Sequence, residues 1–346
     1  EASVAPPSNT GGILSHCAWS ARRLAFLGAT PDLHRELPMD NALPMLTRFA
    51  PSPTGYLHLG HVVNAVYVWG MARAQNGRVL LRIEDHDRLR CRPAYERALL
   101  EDLAWLGFEP DLGPVRQNDT ADAYAEALAG LASQHHVYAC DCSRRMRAGP
   151  PHQPTRLADA TGTRVDRGHR EARYSGRCRT RHLLQGPTCG VRLELEPGVE
   201  TFEDALLGPQ EQDPSAQCGD LLLRDRNGHW TYQFAVTVDD NRQGVDVVIR
   251  GADLVESTAR QIRLARMLGR DQPPSFVHHP LILQPSGLKL SKSLGDTGVR
   301  DLRAAGASPA AVIGLAVAGV GLAPPGALIE AADVRGLFVG SSPVHR

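Results

Sequence analysis

From residue 46 onward the apolar positions switch between two periods. Residues 46–50 form a short apolar run that stops at Pro51-Ser52-Pro53-Thr54-Gly55, a turn that cannot continue as helix. Val62, Val63, Val66, Trp69 and Met71 then recur at helical spacing and predict a helix over 60–75. The apolar run at 78–83 reads as a buried strand, and 93–106 reads as an amphipathic helix closed by Gly107. Strand, helix, strand, helix at this spacing predicts an α/β fold with a doubly wound parallel sheet. A further helix is expected over 124–134 and strands at 191–195, 220–224, 231–238 and 245–250. A helix over 257–268, short strands at 276–279 and 281–283, and a small-residue helix over 310–318 complete the pattern.

Two stretches lack any period. Residues 1–44 carry Pro6, Pro7, Gly11, Gly12, Pro31, Pro38 and Pro44 and read as a loosely ordered extension with a short helix near 19–27. Arg22 and Arg23 interrupt its one candidate secretory core, and Asp32, Glu36 and Asp40 count against a mitochondrial transit peptide. Residues 143–173, rich in Arg, Pro, Gly and His, read as an inserted loop.

Composition narrows the function classes. In 346 residues, 42% are hydrophobic and 22% charged, as in a globular protein, and no apolar run nears the ~20 residues of a membrane helix. Lys+Arg and Asp+Glu are both 38, so no global field attracts nucleic acid. The charge is uneven, however: between Ser143 and His182 eleven Arg face only Asp159, Asp166 and Glu171, a segment able to contact RNA phosphates or simply to be solvated. Seven Cys, odd in number and widely spaced, argue against a disulfide scaffold and for a reducing compartment, so a cytoplasmic location is expected.

Candidate chemistry clusters in three places. His58-Leu59-Gly60-His61 puts two imidazoles three apart at a helix start, where free N–H groups and the helix dipole favour phosphate. The chain's only lysines, Lys289 and Lys292, sit in Lys289-Leu290-Ser291-Lys292-Ser293, a second anion site suited to a triphosphate. Cys140-Asp141-Cys142 and Tyr174-Ser175-Gly176-Arg177-Cys178 supply three thiols for a zinc site whose fourth ligand spacing alone leaves open, His169 and His182 being the first to consider. Cys17, Cys91, Cys189 and Cys218 read as plain thiols.

The His58–His61 and Lys289–Ser293 signatures resemble the "HIGH" and "KMSKS" elements of class I aminoacyl-tRNA synthetases. Arg48-Phe49-Ala50-Pro51-Ser52-Pro53-Thr54-Gly55, Arg82-Ile83-Glu84-Asp85, Tyr232-Gln233-Phe234-Ala235-Val236 with Asp239-Asp240, and Arg250-Gly251-Ala252-Asp253-Leu254 resemble its glutamyl/glutaminyl branch. Together they are similar to the glutamyl-Q tRNA(Asp) synthetase family, truncated paralogues of glutamyl-tRNA synthetase. The resemblance implies a Rossmann-type catalytic core with an inserted zinc-binding acceptor-type subdomain. It implies Arg48, Ser52, Glu84, Tyr232 and Arg250 for L-glutamate, and His58, Gly60, His61, Ser291 and Lys292 for ATP with Mg2+. His58, His61, Lys289 and Lys292 would carry the catalysis. Cys140, Cys142 and Cys178 would hold one structural zinc, with Tyr174 fourth.

The expected division is an extension at 1–45, the first half of the core at 46–139, the zinc-binding insertion at 140–219, the second half at 220–300 and a short tail at 301–346. The 53 residues after Ser293 leave no room for an anticodon-binding domain of ~100 residues. The acceptor implied is queuosine in tRNA(Asp). Charging of a tRNA 3′ end and a catalytically inactive RNA-binding paralogue are the alternatives. A monomer is expected.

Overall fold

A computed structural model describes residues 44–87, 89–143, 173–184, 186, 188–282 and 298–339. The first apolar run is β1 (Leu46–Phe49), buried at all four positions, and the Pro-rich turn leads into α1 (Leu59–Ala74). α1 is apolar all round because it is enclosed all round: ten of its residues between Val62 and Ala72 are buried. β2 (Arg78–Ile83), α2 (Pro93–Leu106), β3 (Leu112–Arg116) and α3 (Ala121–Gln134) follow. Next come β4 (Val137–Cys140), β5 (Gly190–Leu193), β6 (Glu200–Asp204), β7 (Gly208–Gln212), α4 (Pro214–Cys218) and β8 (Leu221–Arg224). The chain then forms α5 (Tyr232–Arg242), β9 (Val247–Gly251), α6 (Thr258–Met267), β10 (Ser275–His279), α7 (Val299–Ala304) and α8 (Pro309–Ala318).

Seven strands make one sheet in the order β3-β2-β1-β9-β10-β6-β7, parallel at every step except the β6–β7 hairpin. The doubly wound expectation is met. Chain order reverses between β1 and β9, so the crevice beyond their carboxyl ends is the place for a ligand. A second, antiparallel sheet joins β4, β5 and β8. Among the described residues no helix is long and apolar enough to cross a membrane.

Two strand expectations fail. Residues 231–238 look like a strand because Tyr, Phe, Val and Thr dominate them. They belong instead to α5, where Phe234, Ala235 and Val238 share one helical face buried beside Leu264 of α6. At 281–283, Leu281 and Ile282 lie outside any strand, since Pro280 follows β10 directly and has no N–H to continue a ladder; Leu283 lies outside the described residues. Sequence pattern also missed β3, β4 and the β6–β7 hairpin.

Residues 299–338 are part of the main core. Val299, Val312, Ile313, Ala316, Val317, Val334 and Phe338 share one buried cluster with α1 and β2. Gly70 makes this possible: a Cβ there would stand 2.3 Å from the Phe338 ring. Residues 1–43 of the extension, its short helix near 19–27, nearly all of 143–173, and the segment with Lys289, Ser291 and Lys292 lie outside the described residues.

Candidate active site and cysteine cluster

The first signature folds into a cap. His58 is the N-cap of α1: its Nδ1 accepts the Gly60 N–H at 3.1 Å, and His61 Nδ1 accepts the His58 N–H at 3.2 Å. Both Nδ1 atoms are acceptors, so each neutral ring carries its proton on Nε2. The ring centroids stand 3.9 Å apart. Gly60 is required by the His58 ring itself, since a Cβ would lie 2.9 Å from its Cε1. Both imidazoles line a cavity of about 260 Å³ together with Arg48, Glu84, Tyr232, Arg250 and His279. Ile282 also lines it, and Gly298 pairs with His58, so the described ends of the lysine-bearing segment both border this site.

Beneath the cavity lies a buried ionic chain. Asp240 Oδ1 accepts from Arg48 Nε at 3.2 Å and from Arg82 Nη1 at 2.8 Å, and Arg82 Nη2 reaches Glu84 Oε1 at 3.3 Å. Arg48 Nη1 also donates to the Ile249 carbonyl. Burial pushes the Glu84 carboxyl up, and the charges of Arg82, His86 and Arg48 only partly offset this. Burial acts likewise on Asp240, but Arg82 and Arg48 overcome it and hold its carboxyl below the usual range. A cation arriving beside Glu84 would relieve its burial penalty.

Arg250 is different. Its guanidinium is buried and held by four neutral groups: His278 Nε2 at 3.0 Å, Gln261 Oε1 at 2.7 Å, Thr258 Oγ1 at 2.9 Å and the Tyr232 hydroxyl at 3.4 Å. Among the described residues no carboxylate lies within ion-pair distance of it, and burial lowers its pKa. A buried guanidinium facing a cavity without a carboxylate partner is a receptor for an anionic ligand.

Cys140, Cys142 and Cys178 form the second cluster. Their buried sulfurs lie within 4.8 Å of one another, and Cys142 Sγ is 3.5 Å from Cys178 Sγ, far too long for a disulfide. The Tyr174 hydroxyl sits 3.6 Å from Cys140 Sγ and accepts the Cys178 N–H at 2.9 Å. Burial and the neighbouring thiols push Cys142 up to about 12. Three thiols crowded in this way can hold a metal ion, for a tetrahedral zinc with bonds of ~2.3 Å needs sulfurs roughly 3.8 Å apart. His182 is exposed and outside the group, and His169 lies outside the described residues.

The structure thus brings Arg48, His58, Gly60, His61, Glu84, Tyr232 and Arg250 to one cavity and Cys140, Cys142, Tyr174 and Cys178 to another place. Ser52 does not line the cavity; its hydroxyl donates to the Glu84 carbonyl at 2.9 Å. Lys289, Ser291 and Lys292 lie outside the described residues. Sequence reasoning gave no role to Asp204, Asp240 or His278. For His278 the available signal was a polar His278-His279 pair on the strand expected at 276–279; Asp240 stood in the Asp239-Asp240 pair of the resemblance, and Asp204 carried no signal.

Residues 44–334 match the family described as "tRNA synthetases class I (E and Q), catalytic domain". The chain is 42% identical over 298 residues to a glutamyl-Q tRNA(Asp) synthetase of Geobacter sulfurreducens, covering 84% of this chain and 89% of that one. It is 40% identical over 296 residues to the protein of that name from Bordetella bronchiseptica, covering 85% and 89%. Its fold matches a glutamate tRNA ligase from Elizabethkingia meningosepticum, solved in complex with its amino acid, with a TM-score of 0.66 and 25% identity. That match covers 86% of this chain, which spans 65% of the solved ligase. A matching family over most of the chain, relatives near 40% identity and a sheet with its cavity at the switch point agree: the chain belongs to the glutamyl-Q tRNA(Asp) synthetase family of class I synthetase-type ligases.

Proposed function

We propose that the chain condenses L-glutamate with ATP, giving glutamyl-adenylate and pyrophosphate, and passes the glutamyl group to a hydroxyl of the queuosine base of tRNA(Asp), with AMP as the leaving group. The observation that carries the glutamate reading is Arg250, buried at the cavity with only neutral partners. A substrate carboxylate completes its bonding. Arg48 takes the second carboxylate, Glu84 the ammonium, and the Tyr232 hydroxyl orients the ligand. Ser52 acts by holding the Glu84 backbone. The likeness to a glutamate tRNA ligase supports this choice of amino acid.

The Nε2–H groups of His58 and His61 serve the ATP phosphates at the N-terminus of α1, with Gly60 holding the cap. As a substrate carboxylate oxygen attacks the α-phosphorus, pyrophosphate leaves; Lys292, helped by Lys289, offsets its charge, and the Ser291 hydroxyl contributes to ATP binding. Mg2+, bound with ATP, would offset negative charge on the phosphates. Cys140, Cys142 and Cys178, with Tyr174, would hold one zinc as a structural ion that ties β4 to the segment around Cys178. The queuosine acceptor rests on the names of relatives that match 89% of their own length.

The test is labelled glutamate with tRNA from queuosine-producing and queuosine-deficient cells. Label on tRNA(Asp) only from the former is expected. Label on tRNA(Glu), released by mild base and indifferent to queuosine, would assign the chain to 3′-end charging. Arg250→Gln should abolish glutamate-dependent ATP–pyrophosphate exchange; retention would refute the glutamate site.

A further inference from the structure

Arg250 and His278 are register partners on the adjacent parallel strands β9 and β10. His278 is fully buried, and so is Asp204 at the end of β6. His278 Nδ1 lies 2.6 Å from Asp204 Oδ2, and His278 Nε2 lies 3.0 Å from Arg250 Nε. Arg250 has only N–H donors, so Nε2 must be the acceptor. Thr258 Oγ1, 3.2 Å from the same Nε2, can donate to it as well. The proton of the neutral ring is therefore on Nδ1, directed at Asp204.

Asp204 is itself fixed. Its Oδ1 accepts three backbone N–H groups, from Leu206 at 3.0 Å, Leu207 at 2.9 Å and His278 at 3.4 Å. Only Oδ2 faces the ring. Burial pushes the Asp204 carboxyl up, but the bond from His278 and these backbone bonds overcome it, so it is a carboxylate. Burial also lowers the His278 pKa and keeps the ring neutral.

We propose that Asp204 and His278 are positioning residues for glutamate: Asp204 sets the His278 tautomer, and His278 in turn aims the Arg250 guanidinium at the substrate carboxylate. This rests on Arg250 being the carboxylate receptor.

The geometry yields a sharp test. In Asp204→Asn the Oδ1 position must remain oxygen to satisfy the three backbone donors. The new amide nitrogen then occupies the Oδ2 position and donates to His278 Nδ1. The ring proton is forced to Nε2, against the Arg250 Nε–H. An almost isosteric change thereby inverts the tautomer while the β6–β7 turn keeps its bonds. Gln at 278 can place its amide oxygen where Nε2 stands, so His278→Gln should restore an acceptor and His278→Leu should not.

Two readouts are taken on the full chain: the His278 tautomer by long-range proton–nitrogen NMR, assigned by its absence in His278→Gln, and steady-state ATP–pyrophosphate exchange. Asp204→Asn should switch the ring from Nδ1–H to Nε2–H. It should raise KM for glutamate about tenfold or more, as expected for losing a charged hydrogen bond, with KM for ATP unchanged. His278→Gln should keep KM for glutamate within a few-fold, and adding Asp204→Asn to it should change little, because the tautomer no longer exists. An unaltered tautomer in Asp204→Asn, or an inverted one with unchanged KM for glutamate, would overturn the proposal. Wild-type protein without glutamate-dependent exchange would instead refute the functional reading, a different result from a wild-type KM in Asp204→Asn.

Discussion

Gly60→Ala separates the cap of α1 from its chemistry. The new Cβ would lie 2.9 Å from Cε1 and 3.1 Å from Nδ1 of the His58 ring. Carbon atoms in contact prefer about 3.5–4.0 Å, so the ring must swing by roughly 0.5–1 Å. That breaks the 3.1 Å bond from Gly60 N–H and removes a helix cap. Losing a cap costs about 1 kcal/mol, and replacing Gly by Ala in a helix returns up to about 1 kcal/mol. The two nearly cancel, so Tm should move by no more than about 2 °C. Activity has no such compensation. The swing displaces the His58 Nε2–H from the phosphates, and a misplaced donor of this kind should slow adenylation by about 10- to 100-fold. Glutamate-dependent ATP–pyrophosphate exchange, read beside thermal melting, tests this, with KM for glutamate unchanged. Wild-type exchange would refute the reasoning, because the ring then accommodates the methyl group without leaving its place. A fall of many degrees in Tm would refute it equally, by showing that the cap dominates.

Other substitutions probe other parts of the structure. Asp240→Asn removes the one carboxylate between the buried Arg48 and Arg82 guanidiniums and should destabilise by about 3–5 kcal/mol in denaturant unfolding. Because the folded pKa of Asp240 is below its unfolded value, its contribution is present above about pH 4 and is lost as pH falls through the folded pKa; the variant should flatten this acid limb. Cys178→Ser should reduce zinc, measured by elemental analysis, from about one per chain toward none, as expected for a site losing one of three thiolates. Gly70→Ala drives a methyl group to 2.3 Å from the Phe338 ring and should cost about 1–3 kcal/mol, much of it recovered when Phe338→Leu is added.

What local pattern controls was legible along the chain. Alternating strands and helices predicted the parallel sheet, and the turn before His58 predicted a helix start with two imidazoles on it. Cys140-Asp141-Cys142 announced a thiol cluster because neighbours in sequence are neighbours in space. Propensity misled at 231–238, where burial of Phe234, Ala235 and Val238 beside Leu264 of α6 overrode strand-like residues. Tertiary structure alone decided which charges meet. Arg48 finds Asp240 across 192 positions, and His278 finds Asp204 across 74. No period along the chain encodes such pairs. The pairing of β10 with β6 creates the second pair and the packing of α5 against β1 the first, and the low polarity of the interior then makes each partner obligatory.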